Sequence, residues 1–271
     1  MTGVNDPAEQ VAAQPMRDWG PVDDVVFERT VIVSPHLDDA VLGCGQLMSA
    51  HAGATVITVF AGNPAKYPMP QRPWDVQSGF GPHDDVMAAR RAEDSAALAV
   101  LGAKPVHLNF VEFSYNEGDV AVAARTIAPV LADAIASCRP TVVLAPFGLA
   151  NPDHDVTHRA AMKARAALRH EGSVGEDTPW LLFEDHGYKH IPGMLAWRVS
   201  RLFRAGLWPT PVCPRIDPST DRKLAALAGY PSQLLALEDD WRISAKLAAP
   251  APEQCWRIDP PPSGWEALAD S

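Results

Sequence analysis

The sequence predicts an α/β fold, a Rossmann-like three-layer sandwich built on a mostly parallel sheet. Three observations lead there. Apolar, β-branched runs of strand length recur along the chain, as strands buried on both faces require. Helical stretches alternate with them, the order that produces parallel strands with crossover helices. With 271 residues, 47% hydrophobic and 21% charged, the chain sits in the ordinary globular range and can hold one large domain.

The first strand is Thr30 to Ser34, and Asp39 to Ala50 follows as a helix whose acidic first residue suits the free N–H groups there. Thr55 to Phe60 is a second strand. Gly62 to Pro82 interleaves five prolines with Tyr67, Trp74 and Phe80, too aromatic for a linker and too proline-rich for a helix. Lining a pocket and lidding the core are equally open for it. Val86 to Leu101 is an amphipathic helix closed by Gly102. Pro105 to Phe110 and Thr141 to Phe147 are strands separated by the alanine-rich helix Val120 to Cys138, and Leu181 to Phe183 is a fifth strand followed by a polar turn. Gly187 to Pro218 is assigned extra strands or a cap, Arg222 to Leu237 a helix broken at Pro231, and Ala249 to Ser271 a proline-rich surface wrap. Residues 1–22 are expected to be a flexible tail and 23–271 a single domain.

The formal net charge of −10 disfavours nucleic acid and anionic membrane surfaces as main partners, since both need clustered cations. A neutral or cationic small molecule fits better. Cys44, Cys138, Cys213 and Cys255 are far apart and contain no CxxC pair, so they are expected to be reduced thiols. No apolar stretch near the ~20 residues needed to span a bilayer is recognised, and no signal peptide; a soluble, cytoplasmic protein is expected, with homo-oligomerisation left open.

Chemistry concentrates at two places. Ser34-Pro35-His36-Leu37-Asp38-Asp39-Ala40 puts a histidine and two adjacent carboxylates at the end of the first strand. After the strand ending near Pro146, the stretch Gly148 to His158 carries Asn151, Asp153, His154, Asp155 and His158 on an expected loop, followed by a helix from Arg159 to Arg169. In a sheet of order 3-2-1-4-5, strands 1 and 4 are neighbours, and ligands bind beyond their carboxyl ends. His36 and Asp39 can then face one cation, with a third ligand from the second loop and an open position for water. Asp38, beside that water without blocking the cation, would be the general base. The competing explanation is that Asp38 and Asp39 cap the helix while His36 fills a turn. The first stretch alone leaves these two readings even.

The same residues resemble the PIG-L or LmbE-like zinc-dependent deacetylases. Pro35-His36-Leu37-Asp38-Asp39 is similar to that family's PHxDD signature and Pro152-Asp153-His154 to its later HPDH signature. Arg90-Arg91-Ala92-Glu93-Asp94 with Leu101-Gly102 resembles its RRxED helix, and Lys223, Ala226, Tyr230, Ser232 and Gln233 its late KxxA…YxSQ stretch. Trp74-Asp75 with Gly79-Phe80 resembles a variant among bacterial members. The resemblance implies hydrolysis of an N-acetyl or other N-acyl group on an amino sugar or a small molecule bearing one. It assigns His36, Asp39 and His154 to Zn2+ or another divalent transition metal, Asp38 to general-base activation of the metal-bound water, and Arg91 to the substrate. Trp74 and Tyr188 join Arg91 as substrate-binding candidates.

One departure stands out: Asn151 occupies the place of a histidine that stabilises the tetrahedral intermediate or protonates the leaving amine. An amide can donate to an oxyanion but carries no proton at neutral pH. An oxyanion or acid role is therefore open for Asn151, His158 and His186, with Tyr188 and His190 as further proton sources. His158 follows His154 by four residues, the spacing of two imidazoles on one helix face; a metal role is open and a solvent-facing position favoured. Asp185 borders the crevice or caps a strand end. Two rival functions remain. A nucleotide-binding α/β protein is disfavoured because Leu42-Gly43-Cys44-Gly45 lies inside a helix and forms no GxGxxG or P-loop. A metal-binding family member with lost or altered catalysis, serving as a small-molecule binding protein, is kept by the Asn151 change.

Overall fold

The protein is described from a computed structural model, which places residues 26–116, 118–175, 177–212, 220–248 and 252–259. The expected tail at 1–22, Cys213 and most of the C-terminal wrap lie outside these residues. Seven strands form one sheet in the order β3-β2-β1-β4-β5-β7-β6. They are β1 (Thr30–Ser34), β2 (Thr55–Thr58), β3 (Lys104–His107), β4 (Val142–Pro146), β5 (Trp180–Phe183), β6 (Trp208–Val212) and β7 (Cys255–Asp259). The first five in space are parallel in the expected 3-2-1-4-5 order, while β7 pairs antiparallel with both β5 and β6.

The third strand is shorter than expected, with Asn109 joined to Phe60 by an isolated bridge. A larger difference is β7, which the proline-rich reading of the C-terminal stretch missed. Cys255 and Ile258 are buried, and the strand completes the sheet instead of wrapping its surface.

Because successive side chains on a strand point to opposite faces, β1 sends Ile32 to one layer and Val31 and Val33 to the other. Ile32, Val56 and Leu144 pack under α1 (Asp39–Ala50), α3 (Val86–Leu101) and α7 (Asp221–Leu227). On the opposite face Val31, Val33, Val143 and Ala145 pack under α4 (Val120–Cys138) and α5 (Pro152–Glu171). Each of the valine, leucine and isoleucine side chains contributes roughly 1.5–3 kcal/mol when fully removed from water. The remaining helices are α2 (Pro73–Gln77), α6 (Met194–Arg204), α8 (Pro231–Trp241) and α9 (Ile243–Ala248).

At 19 residues and mean hydropathy 1.5, α4 is long and apolar enough to cross a membrane by length and composition, which corrects the expectation of no such stretch. Here it is a layer helix: Ala124, Ile127, Leu131 and Ile135 are buried in the core it shares with α5.

The start of α5 also differs from expectation, at Pro152 instead of Arg159. Asn151 is its N-cap, accepting from the Asp153 N–H at 2.8 Å, with Pro152 in the first turn and Asp153 and Asp155 beside the free N–H groups. The second set of site residues thus begins a rigid helix.

Helix α1 is kinked at Cys44 (φ −135°, ψ 16°). A buried ion pair occupies the break: the Lys223 ammonium donates to Leu42 O and to Glu253 Oε1, both at 2.7 Å. The Glu253 carboxylate accepts from Gln46 N (2.8 Å) and Leu47 N (2.9 Å), serving as an internal cap for the second half of the helix. Gly43 and Gly45 make room for this packing. A Cβ would approach the Phe183 ring to 2.7 Å at the first and Lys223 Cγ to 2.7 Å at the second. Cys44 and Cys138 are free thiols.

Glu253→Ala is expected to destabilise the fold by about 3–5 kcal/mol, since it strands a buried ammonium and two backbone N–H groups. Lys223→Met combined with Glu253→Gln should recover part of that loss, because no unpaired charge remains. Urea unfolding midpoints of the three proteins test this.

Candidate active site

The site forms where β1 and β4 end side by side. After β1, Ser34 Oγ accepts from Ala40 N (3.0 Å) and donates to His36 O (2.7 Å), which closes the turn. The His36 N–H donates to Asp39 Oδ2 at 2.9 Å. After β4, α5 projects His154 and Asp153 from its first turn toward the same space. The resulting cavity, ≈ 250 Å³, is lined by His36, Asp38, Asp39, Asn151, Asp153 and His154, among others.

Asp39 Oδ2 lies 3.2 Å from His36 Nδ1 and 3.3 Å from His154 Nε2. Each ring is held from behind. His154 Nδ1 is 2.5 Å from Asp185 Oδ1, and His36 Nε2 is 3.0 Å from Asp153 Oδ2. The two outer carboxylates are themselves oriented, Asp185 by Leu149 N (3.1 Å) and Asp153 by Phe113 N (3.0 Å).

In neutral imidazoles, the form a bound cation needs, the outer contacts place the hydrogens on His154 Nδ1 and His36 Nε2, because a carboxylate only accepts. The bare nitrogens then both face Asp39. Three acceptor atoms converge on one point, a set that a cation completes. Two imidazoles and a carboxylate, each imidazole backed by a carboxylate, is a donor set suited to zinc and similar divalent ions. His36, Glu112 and Asp153 also lie close enough to share an ion, but Asp153 is already engaged as the backing group of His36.

Charge distribution follows from the same crowding. Burial opposes the charged form of His154, but Asp39 and Asp185 outweigh it and raise its pKa to about 9; His36 is likewise raised, by Asp153 and Asp39 against burial. Burial would lift Asp39, yet the two imidazoles hold it well below the usual carboxylate range. Asp38 goes the other way: burial, then the neighbouring Asp39 charge, push it up to about 7.

Asp38 is the N-cap residue of α1, but its side chain makes no capping hydrogen bond. The capping explanation therefore fails for Asp38, whose carboxyl is buried in the cavity wall.

The other sequence candidates divide. Trp74, His186 and Tyr188 line the cavity. The proline-rich stretch that supplies Trp74 contains α2 and is pocket wall, Trp74 Nε1 donating to Gln233 Oε1 at 3.3 Å. Asn151 spends its oxygen on the helix cap and donates through Nδ2 to Tyr188 Oη at 3.3 Å. Tyr188 lies edge-on against the His154 ring.

Arg91 is not in the cavity lining; it donates to Ala61 O (2.7 Å) and Asn63 Oδ1 (2.6 Å). Its neighbour Arg90 is there instead, paired with Asp75 at 3.0 Å. His158, favoured as solvent-facing, is buried one turn beyond His154. It donates through Nδ1 to Pro146 O (2.9 Å), and burial pushes its pKa down to about 4. It lines a different cavity. His190 is exposed at the end of a short 3-10 turn, Tyr188–His190.

Sequence reasoning did not single out Asp153 and left Asp185 undecided as the groups that orient the two imidazoles. The motif Pro152-Asp153-His154 contained the first signal, since a carboxylate beside a ligand-type histidine is a candidate backing group. Arg90, Asp75 and Glu112 emerge only from the folded arrangement.

A family model described as PIG-L, GlcNAc-PI de-N-acetylase, matches residues 31–165. No curated protein matches the chain. Among solved structures, the A40926 pseudoaglycone deacetylase Dbv21 is 28% identical, with a TM-score of 0.67 over 87% of this chain and 97% of its own. A triple mutant of the deacetylase Orf2* of the teicoplanin biosynthetic pathway is 27% identical, with a TM-score of 0.68 over 87% of this chain and all (100%) of its own. The zinc-inhibited form of teicoplanin deacetylase Orf2, 24% identical, shares the fold with a TM-score of 0.68 over 87% of this chain and 99% of that one. The matched residues contain the first strand, both histidine motifs and the helix between them, and with the deacetylase neighbours they establish that the chain belongs to the PIG-L family.

Proposed function

We propose that this protein is a metal-dependent N-deacetylase acting on a small molecule that bears an N-acylated amino sugar. The observation that carries the proposal is the convergence of His36 Nδ1, His154 Nε2 and Asp39 Oδ2 beside the buried, uncapped Asp38. A divalent cation held by the three, with Zn2+ suited to the donor set, would supply Lewis acidity toward water and an acyl carbonyl.

The chain's own groups then divide the remaining work. Asp38 takes the proton from the attacking water. The same group can pass the proton to the departing nitrogen, with burial favouring its neutral form. This removes the need for the histidine that Asn151 replaces. Asn151, in the cavity wall with Nδ2 held toward Tyr188 Oη, is an amide donor for the developing oxyanion. Trp74 and Tyr188 offer aromatic faces for a sugar ring, and the Arg90 guanidinium offers donors for its hydroxyls.

A panel of N-acetylated amino sugars and amino-sugar conjugates, incubated with zinc-loaded protein and read by mass spectrometry, is expected to yield the free amine and acetate from at least one member. No hydrolysis across the panel would favour the binding-protein alternative. Asp38→Asn should keep its bound cation while kcat falls by about 10²–10⁴-fold, the usual contribution of a positioned acid–base group. Loss of the cation in that variant would instead make Asp38 a ligand. Asp185→Asn should weaken cation retention by about 10–100-fold through loss of the contact that orients His154, measured by competition with a chelator.

A further inference from the structure

Further along α5 from the site lies a second cavity, ≈ 410 Å³, between α4, α5 and α6. Its polar lining is cationic: Arg125 from α4, Arg159 and Lys163 from α5, and Arg198 and Arg201 from α6, with His158 also in the wall. Among the described residues no carboxylate lines it. In a chain of net charge −10, five cations drawn from three helices onto one concavity are not the average of the surface.

The arginines are also pre-arranged. Asp155, behind the wall, accepts from Arg159 Nε at 2.7 Å and from Arg198 Nη2 at 2.6 Å, fixing both guanidinium planes. The Arg198 and Arg201 guanidiniums sit 5.2 and 5.1 Å from the centre of the Trp197 ring. Arg198 is buried, and its Nε has no hydrogen-bond partner among the described residues.

We propose that this cavity binds a phosphate monoester. Guanidinium forks match the oxygens of a phosphoryl group in pairs, and a charge near −2 answers several cations where a single carboxylate would answer fewer. Met162, Leu202 and Leu207 in the same wall provide a seat for the organic part of the ester.

The cavity is joined to the catalytic loop. Arg198 Nη2 donates to Gly148 O, at the start of the segment that leads to Asn151. Gly148 (φ +76°) admits this approach because a Cβ there would meet His158 Cβ at 2.5 Å and Arg198 Nη2 at 3.2 Å. An occupant of the cavity therefore acts on the guanidinium that holds the loop in place. The assignment stands independently of deacetylation.

Isothermal titration of the full chain with phenyl phosphate at fixed ionic strength is the test. Saturable binding is expected, weakened about tenfold or more in Arg125→Gln/Arg201→Gln through loss of two charge-assisted contacts. Both side chains are exposed, so the variant should keep the wild-type unfolding midpoint. Lys163→Gln, exposed on α5, is a second variant expected to weaken binding if the first does not fold. Benzoate, with the same ring and one charge, should bind more weakly than the phosphate. Lack of saturable binding, wild-type affinity in the substituted proteins, or equal affinity for benzoate would overturn the proposal. So would loss of binding in His154→Ala, which would put the ligand in the other cavity.

Discussion

The Asp39 carboxylate between two imidazoles is the constraint around which the molecule is arranged. Asp39 Oδ2 lies 3.2 and 3.3 Å from the two imidazole nitrogens, contacts that a proton or a bound cation satisfies, and the protein holds the three atoms there by the geometry of the fold. One histidine comes from the turn after β1 and the other from the first turn of α5 after β4, strands that neighbour each other only because the chain crosses over in the 3-2-1-4-5 order. Behind each ring a carboxylate fixes the tautomer, and behind each carboxylate a backbone N–H fixes the carboxylate. Beside this cluster, burial and then the Asp39 charge raise the pKa of Asp38.

The helix that carries Asp38 and Asp39 is secured at its middle as well as at its start. The kink at Cys44 interrupts the hydrogen-bond ladder, and Lys223 and Glu253 supply the missing donor and acceptors from segments about 180 and 207 residues away in sequence. The segment that carries Glu253 and β7 thus braces α1 as well as extending the sheet. On the other layer Arg198 braces the loop before Asn151 in a similar way, through Gly148 O and Asp155. Both loops of the site depend on groups that lie outside the cavity.

Much of this could be read before folding. The strand and helix alternation follows from hydrophobic pattern, the sheet order usual for that class brings the two histidine loops to one crevice, and the resemblance to the family joins His36 and Asp39 with His154. Where reading failed, a longer-range effect decided. Pro152 looked like part of a loop, yet with Asn151 as cap and two aspartates in the first turn it starts α5. His158 was expected to face solvent, but it is buried, with Nδ1 bonded to Pro146 O at the end of β4. Of two adjacent arginines, periodicity could not say which turns inward; the buried Asp75 on α2 selects Arg90.

The sequence by itself determined the α/β class, the two histidine and carboxylate motifs and the strand ends that carry them, because these depend on local periodicity and on the chemistry of single side chains. Only the tertiary structure decided which carboxylates orient which imidazole, that Asp38 is uncapped and buried, and that five cations from three helices share one concavity. Those facts are set by contacts between residues far apart in the chain, whose relative positions no local pattern encodes.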